Sequence, residues 1–271
     1  MINDKLGGDW EIISKVSQYY ADAFRLVCPG VEIVLGSDLY SSKKEYWLEL
    51  VKLTKHMSLA RTMRTLTIMG RSETEEKIDL AKLLYPPMQA TDIHFLDIDI
   101  AHAGMDQRKI HMLARELFPK MKWKVPVAVH HRLLPSLSEP ETVSDSKSLG
   151  KMSKSSPSSG IFIHDSDDDI RSKLKKAWCE EGNIKGNPVL EIAKHVIYHE
   201  FDEISVERPA KFGGNVAYSS YSQLESDFMQ KKLHPTDLKQ TVANYLIKII
   251  HPIREKLILN KKLVEIIKKS T

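Results

Sequence analysis

Apolar residues recur at helical spacing from Trp10 to Val27, at Ile12, Ile13, Val16, Tyr19, Tyr20, Ala23 and Phe24. That period predicts an amphipathic helix, with Asp9 placed to cap its first free amides. Residues 31–35 form a short apolar run closed by Gly36 and read as a strand. Helical patterns follow over 43–56, 58–69 and 73–84. Prolines are best tolerated in a first helical turn, so Pro86 and Pro87 predict a helix start with Tyr85 just outside it. Residues 94–100 read as a strand that Gly104 breaks. Residues 105–118 read as a helix with Gln107 and Arg108 in its first turn, and 125–129 as another strand.

Helices alternating with short apolar strands predict an α/β domain, Rossmann-like, around a parallel sheet. A Ser- and Pro-containing loop occupies 136–159, and 161–163 read as a strand. Beyond Asp167 the pattern is helical over 170–179, 188–199, 221–231, 235–250 and 254–269. The expected division is therefore a Rossmann-like domain over 1–165 and a mainly α-helical domain over 166–271.

Composition narrows this only a little. Of the 271 residues 42% are hydrophobic and 28% charged, the balance of an ordinary soluble protein. No stretch reaches the roughly 18 uninterrupted apolar residues a membrane helix needs. The opening residues carry no basic start followed by an apolar run, so no secretory leader is expected. Cys28 and Cys179 lack paired spacing and read as free thiols of a reducing, cytoplasmic compartment. His130-His131 and the other histidines lack zinc-ligand spacing, so no metal site is expected. The net charge of +4 is too weak to establish a nucleic-acid partner. The lysines of 256–269 read as a solvated helix face.

Two constellations carry chemistry. Lys151-Met152-Ser153-Lys154-Ser155 puts two ammonium groups and two hydroxyls on one short segment between Gly150 and Gly160. Flexible point charges of this kind can follow phosphate oxygens as charge moves during a reaction. Tyr85, Gln89, Asp92 and Gln107 stand at the rims of elements of the α/β domain. A phenol, two amides and a carboxylate can bind a zwitterionic amino acid with a polar side chain. They are equally the polar residues that gather at helix starts, and composition alone leaves both readings open.

Tyr85-Pro-Pro-Met-Gln89-Ala-Thr-Asp92, Gly104-Met-Asp-Gln107-Arg108-Lys109-Ile110-His111-Met112 and Lys151-Met-Ser-Lys-Ser155 closely resemble motifs of tyrosyl-tRNA synthetases of the archaeal and eukaryotic type. Arg208-Pro-Ala-Lys-Phe212-Gly-Gly and His234-Pro-Thr-Asp237-Leu-Lys239 resemble that family's C-terminal domain. The motifs run in the family's order over essentially the whole chain. The resemblance implies a tyrosine pocket of Tyr85, Gln89, Asp92 and Gln107. It implies Arg108 at the first base pair of the tRNA acceptor stem. ATP would be held by Lys151, Met152, Ser153, Lys154 and Ser155, with Lys151 and Lys154 catalytic. The anticodon would be received by Phe212, His234 and Asp237. Partners implied are tyrosine, ATP with Mg2+, tRNA(Tyr) and a second copy of the chain, docked through the helical region of about 40–80, with no prosthetic group.

The implied reaction has two steps. Tyrosine is activated with ATP to tyrosyl-adenylate, and the tyrosyl group passes to a terminal ribose hydroxyl of the tRNA. The family's opening strands, with a signature of the type His-Ile-Gly-His, have no counterpart in this sequence. His102-Ala103-Gly104 is only superficially similar and lies after the first pocket motif. Three readings stay open: an incomplete sequence, one half of a split protein, or a degenerate copy. The last corresponds to a non-catalytic tRNA-binding module, the alternative to a ligase.

Overall fold

The structure is a computed structural model and describes residues 8–66, 79–143, 146–148, 150, 152 and 156–257. The chain packs into two compact units, Met1–Ser14 with Val31–Leu133, and Lys15–Gly30 with Leu134–Thr271. The first helix, α1 (Trp10–Val27), runs from one into the other. Asp9 caps it, its Oδ1 accepting from the amides of Glu11 and Ile12 at 2.9 and 3.1 Å.

In the first unit the expected strand over 31–35 does not form. A strand exists only as part of a ladder, and no described strand lies beside this segment, which leaves Val34 and Leu35 exposed. Helices α2 (Gly36–Ser42), α3 (Tyr46–Thr54) and α4 (Leu59–Thr65) follow. Helix α2 is not anticipated by the pattern, whereas α3 falls within the helix expected over 43–56 and α4 within that expected over 58–69, whose last residues, 67–69, lie outside the described residues. The first half of the helix expected over 73–84 lies outside the described residues, and its second half opens the next helix. Helix α5 (Leu80–Phe95) begins at Asp79, which accepts from the Lys82 amide at 2.9 Å. Pro86 and Pro87 therefore stand inside α5 rather than at its start. Both are buried, so packing offsets the hydrogen bonds they forgo.

The expected strand over 94–100 is displaced. Helix α5 continues to Phe95, and β1 is Ile100–Gly104. A single 3-10 turn, Met105–Gln107, leads into α6 (Arg108–Met121), and β2 (Val127–His131) returns beside β1. The two strands are parallel, in register from Ile100 with Val127 to Gly104 with His131. Crossover by a helix is what a parallel pair requires, and the α/β expectation holds. Ile110, Leu113, Ala114, Leu117 and Phe118 recur at helical spacing on α6 and meet Leu53 and Ala90 in one core. Leu39, Tyr46, Leu50 and Met88 form a second.

The second unit holds a small hairpin, β3 (Glu141–Val143) with β4 (Ser146–Ser148). The strand expected over 161–163 is irregular backbone. Phe162 donates its amide to the buried carboxylate of Asp165 at 2.8 Å instead of to a neighbouring strand. Helix α7 (Asp167–Lys176) opens with a reciprocal capping box of Ser166 and Asp169. Helix α8 (Pro188–Ile192) passes through a π turn, Ala193–Ile197, into α9 (Tyr198–Glu200). An antiparallel pair that the sequence pattern does not reveal, β5 (Ile204–Val206) and β6 (Val216–Tyr218), precedes α10 (Tyr221–Met229).

The last described helix, α11 (Pro235–Lys256), runs past the end expected at 250 and takes Pro252 into its final turns, while residues 258–269 of the helix expected over 254–269 lie outside the described residues. Ile170, Leu174, Val189, Ile204, Phe228 and Leu238 sit in one core that also takes in Leu137, with Met152 and Ile161 against it. The stretch after Leu133 thus packs with the helical part.

Candidate active site

Helix α5 and the turn before α6 bring the pocket residues together. Gln89 donates from Nε2 to Oε1 of Gln107 at 3.1 Å. Its own Oε1 is buried and has no partner. A buried acceptor without a donor costs on the order of 1–3 kcal/mol unless something supplies one.

One helical turn from Gln89, Asp92 accepts from the hydroxyl of Tyr46 at 2.6 Å and from that of Tyr40 at 3.4 Å. Burial pushes the Asp92 carboxyl above the usual carboxylate range, and the two phenols pull it part of the way back. Burial and then the charge of Asp92 raise Tyr40 to about 12. Burial, followed by the bond to Asp92, pushes Tyr46 higher still, so it remains a donor. Burial and then Asp92 also raise the phenol of Tyr85. Gln89 and Gln107 are thus bonded to each other, and Asp92 stands within electrostatic reach of Tyr85 on the same helix. Arg108 is exposed as the first residue of α6.

Sequence pattern does not single out Tyr40 and Tyr46. An aromatic in a helix reads as core, and Tyr46 is indeed fully buried. The signal available is its polar tip, since a buried phenol seeks a partner.

Register also gathers histidines. His131 Nδ1 lies 3.1 Å from His102 Nε2, and the rings of His111 and His130 are 4.8 Å apart. Among the described residues no group of three or more His, Cys, Asp or Glu could hold a metal ion.

In the second unit, Lys151, Ser153, Lys154 and Ser155 lie outside the described residues. Met152 is half-buried on the helical core, its amide donating to the Leu134 carbonyl at 3.2 Å. A Cβ on Gly160 would stand 3.1 Å from Met152 Cβ, so glycine there permits the close approach.

Phe212 ends a 3-10 turn, Ala210–Phe212, and its ring is exposed. Gly213 and Gly214 follow with φ of 96° and 70°, conformations that favour glycine. Arg208 clamps this loop. It donates from Nε to the Gly214 carbonyl at 2.7 Å and from Nη1 to the Lys232 carbonyl at 2.8 Å. Lys232 is two residues before His234, so the clamp ties the Phe212 loop to the start of α11. His234 caps that helix, its Nδ1 accepting from the Thr236 amide at 3.2 Å, which fixes the hydrogen on Nε2. Asp237 sits half-buried in the first turn.

A helix-linked parallel strand pair followed by a helical unit, with polar residues converging after the first strand's C-terminal end, is the frame of an α/β ligand-binding enzyme. The chain belongs to the class I tRNA synthetases of the W and Y type, whose family model matches residues 5–251. Similar chains within that class are tyrosine--tRNA ligases. That of Thermococcus sibiricus is 46% identical over 280 residues, covering 94% of this chain and 74% of the relative. That of Pyrococcus abyssi is 45% identical over 283 residues, with the same coverage. Among solved structures, tyrosyl-tRNA synthetase of Pyrococcus horikoshii complexed with L-tyrosine superposes with a TM-score of 0.89. It is 41% identical, over 99% of this chain and 79% of that one. The Aeropyrum pernix enzyme gives 0.82 at 39% identity, covering 99% and 76%.

Proposed function

We propose that this chain acts in tyrosine–tRNA ligation, activating tyrosine with ATP and transferring it to tRNA(Tyr). The observation that carries the reading is the buried, unpartnered Oε1 of Gln89 beside Gln107 and Asp92. An amino-acid ammonium or hydroxyl would supply the missing donor. Asp92, held by two phenols, offers a fixed carboxylate to the same ligand, and Tyr85 and Gln107 complete the lining.

Neither step needs a protein nucleophile. The tyrosine carboxylate attacks the α-phosphate of ATP, and pyrophosphate leaves. A terminal ribose hydroxyl of the tRNA then attacks the mixed anhydride carbonyl, and AMP leaves. Catalysis rests on holding reactants in register and on neutralising phosphate charge, the role assigned to Lys151 and Lys154 with Met152, Ser153 and Ser155 as neighbours on the nucleotide. Mg2+ enters with ATP as part of the substrate. Selectivity against phenylalanine follows because polar groups of the pocket would be left unpaired without the phenol, an effect for which tyrosyl-tRNA synthetases are themselves the familiar example.

In this reading 1–165 is the catalytic domain and 166–271 the anticodon-binding domain, with Arg108 at the acceptor stem and Phe212, His234 and Asp237 at the anticodon. A ring can stack on an unpaired base, and a carboxylate can accept from a base edge. A second copy would dock on α3, where Trp47, Leu48 and Val51 leave an apolar face exposed. No described helix is long and apolar enough to cross a membrane, and the proposed compartment is the cytoplasm.

Tyrosine-dependent ATP–pyrophosphate exchange tests the reading, run on the chain as it stands and joined to the opening segment of a relative. Exchange in either arm supports ligation. No exchange in both, with tRNA(Tyr) still bound, replaces ligation by the binding-module alternative.

A further inference from the structure

Toward the carboxyl ends of its strands the parallel pair carries two imidazoles that the ligase reading does not use. In register, His102 faces Val129 and Gly104 faces His131. Side chains alternate along a strand, so these four residues share one face, while Ala103 and His130 share the other. His130 stands against the ring of His111 on α6. His102 and His131 are exposed on the opposite face. There His131 Nδ1 lies 3.1 Å from His102 Nε2, with the ring centroids 4.9 Å apart and the planes inclined at 57°. Rings aimed head-on across that gap would hold their centroids farther apart, by a ring radius at each end, so the pair is bent.

Two imidazole nitrogens bound to one ion at roughly 2.0–2.1 Å, at angles between square and tetrahedral, stand about 2.8–3.4 Å apart. The separation of His102 and His131 falls inside that range. Gly104 leaves the room the arrangement needs. A Cβ there would stand 2.7 Å from Leu133 Cδ2 and Asp106 Oδ1, and 3.6 Å from His131 Nε2. The Asp106 carboxylate and the outer nitrogen of His131 therefore flank the same point. A carboxylate on that side of a ligating imidazole is a common means of fixing its tautomer and orientation.

We propose that His102 and His131 form a two-nitrogen site for a divalent transition-metal ion of the Ni2+, Zn2+ or Cu2+ type, which bridges β1 and β2. Imidazole suits these ions, whereas Mg2+ takes oxygen ligands and is not the ion meant. Among the described residues no third His, Cys, Asp or Glu completes the set, so the ion keeps its remaining positions for water. A hydrogen bond between the two rings is the competing use of the pair. It needs a hydrogen on one of the facing nitrogens, while an ion needs both bare, with the hydrogens on His102 Nδ1 and His131 Nε2. The inference is independent of the ligase reading.

The test is calorimetric titration of the untagged full chain with Ni2+, with Mg2+ as the control ion, followed by urea unfolding with and without Ni2+. His102→Ala and His131→Ala should each weaken Ni2+ binding by more than the roughly 10- to 100-fold that removing a hydrogen-bond partner of a ligand costs. His102→Asn and His131→Asn, which keep a polar side chain, should repeat the loss. Ni2+ should raise the urea midpoint of the parent and leave those of the four variants in place, because an ion bound only by the folded chain stabilises it. All four should unfold at the parent's midpoint when no metal is added, since both side chains are exposed. His199→Ala, exposed on α9, should bind Ni2+ as the parent does. Parent-like affinity in the variants at either position overturns the pair and gives the ion to other histidines. Failure of the parent to bind Ni2+, or equal binding of Mg2+, overturns the site outright.

Discussion

The hydroxyl of Tyr46 donates to Oδ1 of Asp92 at 2.6 Å across 46 residues of sequence. The same hydroxyl stands 3.2 Å from the Met88 carbonyl, and its ring packs against Tyr40 and Phe95. The contact joins α3 to α5 and orients the carboxylate that the proposed tyrosine site depends on. Tyr46 is thus a positioning residue, acting through Asp92.

Tyr46→Phe keeps the ring and removes the donor. A hydrogen bond to a charged group contributes about 1.5–3 kcal/mol, so a loss of stability of that order is expected in urea unfolding. The KM for tyrosine should rise in exchange assays while the KM for ATP stays put. A double-mutant cycle with Asp92→Asn should return most of the stability loss as coupling between the two residues.

Gln107→Ala removes the acceptor that orients Gln89. The expected outcome is a fall in kcat/KM for tyrosine of roughly 10- to 100-fold, corresponding to about 1.4–2.7 kcal/mol. Stability should also fall, by about 1–3 kcal/mol, because the Gln89 amide then loses its acceptor as well. Unchanged exchange kinetics would remove both glutamines from the pocket.

Burial, with the neighbouring His130 and His102, holds His111 below its ordinary value of 6.5. Burial does the same to His94, which stacks on Trp123 at 3.8 Å. Between the depressed folded value and the unfolded one, the unfolded chain binds more protons. Stability is therefore full above the unfolded value and declines as pH falls through 6.5 toward the folded one. The midpoint of urea unfolding should drop over that window, and His111→Phe should flatten the decline.

Asp237→Ala should weaken aminoacylation of tRNA(Tyr) and leave tyrosine-dependent exchange nearly intact. Arg208→Ala should act the same way from a distance, by releasing the Phe212 loop from Lys232. Phe212→Ala removes a stacking surface, with an expected loss of about 1–3 kcal/mol in tRNA affinity. Equal loss of both half-reactions in these variants would contradict the division at residue 165.

Lys173 pairs with Asp165 at 2.6 Å, where the carboxylate side chain is only 3% exposed. Lys173→Ala would strand that buried charge, and a destabilisation of about 3–5 kcal/mol is expected in urea unfolding. Replacing both residues by apolar ones should restore much of the difference, although the Phe162 amide would then lose its acceptor.

Local pattern carries a good deal of this protein. The apolar stripe of α1, the stripe of α6 and the Ser166 cap of α7 are short-range features, because helical hydrogen bonds and caps close within a few residues. The motifs around Gln89, Gln107 and His234 are likewise readable as strings, and they lead to the family. Other features are decided only by residues far apart in the chain. Residues 31–35 have a strand's composition but no ladder, and Pro86 and Pro87 lie within a helix because its buried face tolerates them. Asp92 becomes a held carboxylate only when Tyr40 and Tyr46 reach it from other helices. The sequence by itself determined which segments could coil and which side chains could do chemistry. Tertiary packing decided which of them meet, since ladder pairing and the solvation of a buried charge depend on partners that no local window contains.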